Sequence, residues 1–134
     1  MTISLNHTIV WCRDNKNSAA FLTSLLGLPQ ARHWGPFYIV EPANGVSLDY
    51  HRTDQPITPQ HYAFLVSEDE FDAIFARIQE RGLEFWADPM HTASGVINRH
   101  DGGRGVYWDD PDGHSLEIIT RPYGSGSSGN SGSS

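Results

Sequence analysis

The sequence predicts an α+β domain in which one strand–helix–strands unit occurs twice. Strand-type alternation followed by a helical apolar stripe and further strands begins near residue 5, and the same order begins again at residue 61. Residue types also repeat at matching spacing. Asn6-His7 lies over Gln60-His61 at a step of 54, Gly27-Leu28 over Gly82-Leu83 at 55, and Ser47-Leu48-Asp49 over Ser115-Leu116-Glu117 at 68. The growth in step places an insertion near residues 88–99. Two copies are too few for a solenoid, so two sheets facing one another is the economical arrangement.

Leu5 to Trp11 alternates, with Leu5, His7, Ile9 and Trp11 on one face. A helix follows, capped by Asn15 or Asn17, striped by Phe21, Leu22, Leu25 and Leu26, and ended by Gly27 and Pro29. Two strands, residues 36–41 and 46–52, flank the turn Pro42-Ala43-Asn44-Gly45, where Asn-Gly favours a tight hairpin. In the second unit His61 to Val66 is a strand. Ser67-Glu68-Asp69-Glu70 then forms a capping box, in which the hydroxyl and the carboxylate satisfy free amides at a helix start. Phe71, Ile74, Phe75 and Ile78 give that helix an apolar face, and Gly82 stops it. Strands are expected near residues 83–87, 95–98, 103–108 and 114–120, with a turn at Asp110-Pro111-Asp112-Gly113.

The chain has 134 residues, with 9 Lys+Arg against 16 Asp+Glu and a formal charge of -7. Its sole lysine is Lys16. Such a surface has no cationic patch for phosphates, which argues against nucleic acid and against an anionic membrane as partners. A small aromatic or oxygen-chelating ligand suits it better. Residues 124–134 are only Gly, Ser and Asn, with nothing to bury, and read as a disordered added linker. One domain, 1–123, is therefore expected, with modules of about 3–52 and 59–122. The lone Cys12 rules out an internal disulfide. With no signal-peptide pattern and no apolar run near the roughly 20 residues that span a bilayer, a soluble cytoplasmic protein is expected.

His7 and His61 each open a first strand, and Asp49 and Glu117 each sit in a last strand. Leu48/Tyr50 and Leu116/Ile118 on the opposite faces need the helices. The carboxylates therefore face the concave side, where a charge is costly unless paired or bound to a metal. Two imidazoles and one carboxylate form the facial set that holds Fe(II) and leaves positions open.

On these residues the chain resembles the vicinal oxygen chelate superfamily, the glyoxalase, bleomycin-resistance and extradiol dioxygenase group, over residues 3–122. The resemblance implies paired βαβββ modules forming a cupped mixed sheet around a metal site, with His7, His61 and Glu117 as ligands. The run Tyr107-Trp108-Asp109-Asp110-Pro111-Asp112-Gly113-His114-Ser115-Leu116-Glu117 is similar to the closing motif of that group. Asn98-Arg99-His100, Val106-Tyr107 and Asp110-Pro111-x-Gly113 resemble the extradiol dioxygenase signature, which implies that His100 and Tyr107 act beside the metal on substrate hydroxyls and oxygen. A homodimer follows from the resemblance as well.

Coordination arithmetic separates the branches. Three protein ligands on an octahedral ion leave three sites, enough for both oxygens of a catecholate and for O2. Asp49 as a fourth ligand leaves two, which suits glyoxalase-like isomerase or lyase chemistry. The expected function is thus Fe(II)-dependent cleavage of a catecholic ring, with Mn(II), Ni(II) or Zn(II) as other fitting ions. The alternatives are the four-ligand isomerase or lyase and a metal-free resistance-type binding protein. His33, His51, His91 and His114 read as core or surface residues. Arg104 is expected to pair Asp101 or Asp109, and Trp34, Phe37, Trp86, Tyr107 and Trp108 are weak pocket candidates.

Overall fold

The computed structural model describes residues 2–126. It has an α+β architecture of two compact units that divide between Thr58 and Pro59.

The first unit runs β1 (His7–Cys12), α1 (Asn15–Leu26), β2 (Arg32–Trp34), β3 (Phe37–Val40) and β4 (Ser47–Arg52). Its sheet has the order β1-β4-β3-β2, with β1 parallel to β4 and the other pairs antiparallel. The parallel pair requires a crossover, and α1 supplies part of it. Val10, Cys12, Val40, Leu48 and Tyr50 form the buried side of this unit with Ala19, Leu22 and Leu25 of the helix. The helix cap is Asp14, whose side chain accepts from Asn17 N–H, and not the expected Asn15 or Asn17. The carboxylate sits one residue before the helix, where it reaches the free amides and favours the positive helix end. Gly27 ends the helix at φ 72°.

The second unit runs β5 (His61–Leu65), α2 (Glu68–Glu80), β6 (Gly105–Asp109) and β7 (Ser115–Ile119). The sheet order is β5-β7-β6, with β5 parallel to β7 and β6 antiparallel to it. Phe71, Ile74 and Ile78 of α2 are buried, as are Val106, Trp108, Leu116 and Ile118, which share one side of the sheet. The Ser67 capping box forms as expected. The strands expected at 83–87 and 95–98 do not form. Trp86 bridges Tyr107 and Ser94, and Asn98 bridges Gly105, as isolated pairs. Between them the Asp88 carboxylate takes Thr92 N, Ala93 N and Thr92 Oγ1, satisfying the backbone that a ladder would otherwise have used.

Among the described residues no helix is long and apolar enough to cross a membrane. Gly124 and Gly126, expected to belong to a disordered linker, instead donate to Asp101, so the ordered chain extends past residue 123. The remainder of that segment, 127–134, lies outside the described residues.

Candidate metal centre and substrate cavity

In the second unit the strand register places His61 opposite Ser115 and sets Ala63, Glu117 and Tyr107 side by side in one row. Side chains alternate across a sheet, so these residues share the face opposite Trp108, Leu116 and Ile118. His61 Nε2 lies 2.9 Å from Glu117 Oε1, within a bond that the imidazole N–H donates. The Tyr107 hydroxyl donates to the same carboxylate. Burial first, then that hydrogen bond and the Glu117 charge, pushes the Tyr107 phenol well above its ordinary range, so it persists as a hydroxyl donor. Its ring stands 5.5 Å from that of His61.

These residues border a cavity of about 500 Å³ together with His100, Asn98, Arg121 and Tyr123. The turn bearing His100 is fixed by Asn98, whose backbone pairs with Gly105 and whose Nδ2 donates to the Ala87 carbonyl. Gly105 is required there, because a Cβ would meet the Asn98 side chain at 2.8 Å. Arg104, another cavity residue, pairs with Glu68 at 2.8 Å and Asp72 at 2.9 Å and lies over the Phe71 ring, not beside Asp101 or Asp109 as expected. Both acids belong to the first turns of α2, so the guanidinium ties helix to strand and its charge is already met.

In the first unit His7 opens β1 opposite Ser47, is exposed, and has Nδ1 at 2.7 Å from Asn6 Oδ1. Asp49 is buried, and it accepts from Ser47 Oγ at 2.8 Å. Of the aromatic candidates, Tyr107 lines the cavity. Trp108 is fully buried in the core, Trp86 stacks on His91, and Phe37 lies edge-on to His51. Trp34 is exposed. His114 is buried, and its Nδ1 accepts from Gln60 N–H, a structural role.

His61 and Glu117 fit a divalent ion. An imidazole nitrogen and a carboxylate oxygen at right angles, each about 2.1 Å from an ion, stand about 3.0 Å apart. The observed 2.9 Å, the length of their hydrogen bond, is compatible with that separation. A hydrogen-bond donor on the ligating carboxylate is the usual support for such a site, and Tyr107 provides it. Among the described residues no group of three or more His, Cys, Asp or Glu side chains is assembled for a metal, so these two stand as a pair.

Of the expected site residues the cavity brings together His61, Glu117, Tyr107 and His100, while His7 and Asp49 belong to the first unit; not expected from the sequence are Arg121 and Tyr123, which also line it. These two follow the last strand, in a stretch without periodicity, where no signal marks a pocket wall.

The profile of the Glyoxalase/Bleomycin resistance protein/Dioxygenase superfamily matches residues 4–118. The glutathione transferase FosA of Serratia marcescens is 32% identical over 124 residues, covering 88% of this chain and 81% of that protein. Two solved structures, the oxidases ChaP-H1 and ChaP-H2, share 59% and 63% identity with this chain. Their TM-scores are 0.90 and 0.92, and the matches cover 92% and 94% of this chain and 99% of each of theirs.

Proposed function

The chain belongs to the glyoxalase/bleomycin resistance/dioxygenase superfamily, and from that premise we propose that it is an Fe(II)-dependent enzyme that uses O2 to cleave a catecholic ring. The observation that carries this reading is the His61–Glu117 pair in a cavity that also holds Tyr107 and His100. The likeness to two oxidases supports oxygen chemistry over isomerisation. Asp49, which takes a Ser47 hydroxyl where Glu117 has an imidazole beside it, is the weaker candidate for a fourth ligand.

His61 and Glu117 supply two donors, and His7, exposed on the face of β1 that carries Ile9 and Trp11, supplies the third. Exposed apolar residues of this kind are what a second copy of the chain covers, so a homodimer is part of the proposal. An ion held by these residues would supply chelation of two neighbouring substrate oxygens and access to one-electron chemistry with O2. The residues do the rest. His100 takes a proton from a substrate hydroxyl at the cavity wall, and Tyr107, held as a hydroxyl, donates to the Glu117 carboxylate and accepts from the other substrate hydroxyl.

A second reading, thiol transfer, draws on the relation to the glutathione transferase FosA. An anionic thiol peptide needs cationic contacts; of the two cavity arginines Arg104 is already neutralised by Glu68 and Asp72, and Arg121, bonded to the Ser125 carbonyl, is the cation such a ligand would meet.

Protein reconstituted anaerobically with Fe(II) should bind catechols and consume O2 with ring-opened product on aeration. His100→Ala should keep metal and substrate while slowing turnover by about 10²-fold or more, the scale of a lost general base. No oxygen uptake across a broad catechol panel, with glutathione conjugation of an electrophile in its place, would overturn the dioxygenase reading in favour of the transferase.

A further inference from the structure

One wall of the cavity in the second unit is chain that follows the last strand. Arg121 and Tyr123 line it beside His100 and Asp101. Residues 121–126 have no apolar pattern to fold them, and the Asp101 carboxylate takes two of their amides. Asp101 Oδ2 accepts from Gly124 N–H at 3.0 Å and Oδ1 from Gly126 N–H at 2.9 Å. Arg121 Nη2 adds a bond to the Ser125 carbonyl at 3.3 Å.

The backbone on both sides is shaped for this contact. Asp101 adopts φ 57° and ψ 24°, the left-handed region that few non-glycine residues occupy unless their surroundings demand it. Gly103 lets the two segments approach, since a Cβ there would meet Thr120 Oγ1 at 2.5 Å and Arg121 Cγ at 2.6 Å. Tyr123 borders the cavity and is yet 74% exposed, which leaves a ring face open to an incoming group. Asp101 also adjoins His100, so the hold on the segment and the placing of that imidazole are one structure.

We propose that residues 121–126 form a strap at the cavity mouth, in which Tyr123 is a specificity-determining residue that stacks on the aromatic ring of the substrate. Asp101 is the positioning residue that holds the strap. This rests on the reading of the cavity as the site for an aromatic substrate. Stacking on Tyr123 selects planar rings over aliphatic chelators of the same metal-binding chemistry.

Full-length, metal-loaded protein under anaerobic conditions is titrated with catechol and, as an aliphatic chelator, with lactate. Exchange of the Gly124 and Gly126 amides is followed in parallel. Tyr123→Ala should weaken catechol binding by about tenfold, on the scale of one aromatic pair, and Tyr123→Phe should restore it. Lactate binding should be the same in all three. Asp101→Gly accepts the positive φ and removes both acceptors, so it should weaken catechol binding similarly and release the two amides to exchange. Catechol binding equal in wild type and Tyr123→Ala, or amides still protected in Asp101→Gly, overturns the strap and leaves the site reading standing. Catechol that fails to bind the metal-loaded wild type, with the amides protected there and released in Asp101→Gly, overturns the aromatic site and the role of Tyr123 together.

Discussion

Asp49 and Glu117 hold matching places in their units and have different company. Glu117 faces an imidazole and a phenol; Asp49 is buried and takes a hydroxyl from its own strand. Asp49→Asn keeps that acceptor, so Fe(II) affinity should stay close to wild type. Glu117→Ala should lose more than the roughly 10–100-fold that a supporting partner is worth. Equal losses in metal titrations of the two variants would make Asp49 a ligand and favour the isomerase. Asp110 carries a separate consequence. Its Oδ1 accepts from Asp112 and His114 N–H groups, and its buried Oδ2 has no hydrogen-bond partner among the described residues. Burial raises its pKa above the ordinary carboxylate value, against the pull of those two bonds. A carboxylate raised in the folded state burdens stability while ionised, and the burden lifts as pH falls through the folded pKa toward the unfolded value of about 3.9. Asp110→Asn has no such titration. The Tm of wild type relative to Asp110→Asn should therefore rise between pH 7 and pH 4, and a pH-independent difference would contradict the assignment.

At the scale of elements, the Ser67–Glu70 capping box is the most direct test of a local device. Ser67→Ala should cost about 1 kcal/mol and Ser67→Gly only a few tenths. For a domain of this size the first is a fall of several degrees in Tm, measurable by calorimetry. This element was legible because a cap and an apolar stripe are both local, and the same holds for β1, β5, β7 and the Asp110–Gly113 turn. The residues of 83–87 and 95–98 were read as strands because Phe85, Trp86, Val96 and Ile97 have strand-type side chains. The Asp88 carboxylate captures the intervening amides instead, an interaction that no periodicity records. β2 was missed for the opposite reason: three exposed residues, Arg32, His33 and Trp34, pair with β3 and show no buried face. The site divides in the same way. Matched histidines and a turn motif point to His61 and Glu117, and the resemblance to the extradiol signature points to His100 and Tyr107, whereas the hold on Tyr123 is a carboxylate bonded to remote glycine amides.

At the scale of the whole molecule, the proposal that His7 completes the site from a second copy can be tested directly. His61 and Glu117 pair within the second unit, His7 belongs to the first, and among the described residues no three such donors assemble. A site completed by a second copy makes a prediction that a site completed within one chain does not. His7→Ala and Glu117→Ala should each bind Fe(II) poorly alone. Unfolded together and refolded as a mixture, they form mixed dimers in which one site joins His7 from the Glu117→Ala copy to His61 and Glu117 from the His7→Ala copy. The other site in the same dimer lacks both residues. Half of a random mixture is mixed dimer with one whole site in two, so about a quarter of the wild-type Fe(II) sites and O2 uptake should return. A His7 that serves its own chain leaves every site in the mixture one ligand short. Mixtures no better than the separate variants would place all three ligands in one chain. Gel filtration of the refolded mixture at the dimer position excludes failed assembly as the cause of a null result.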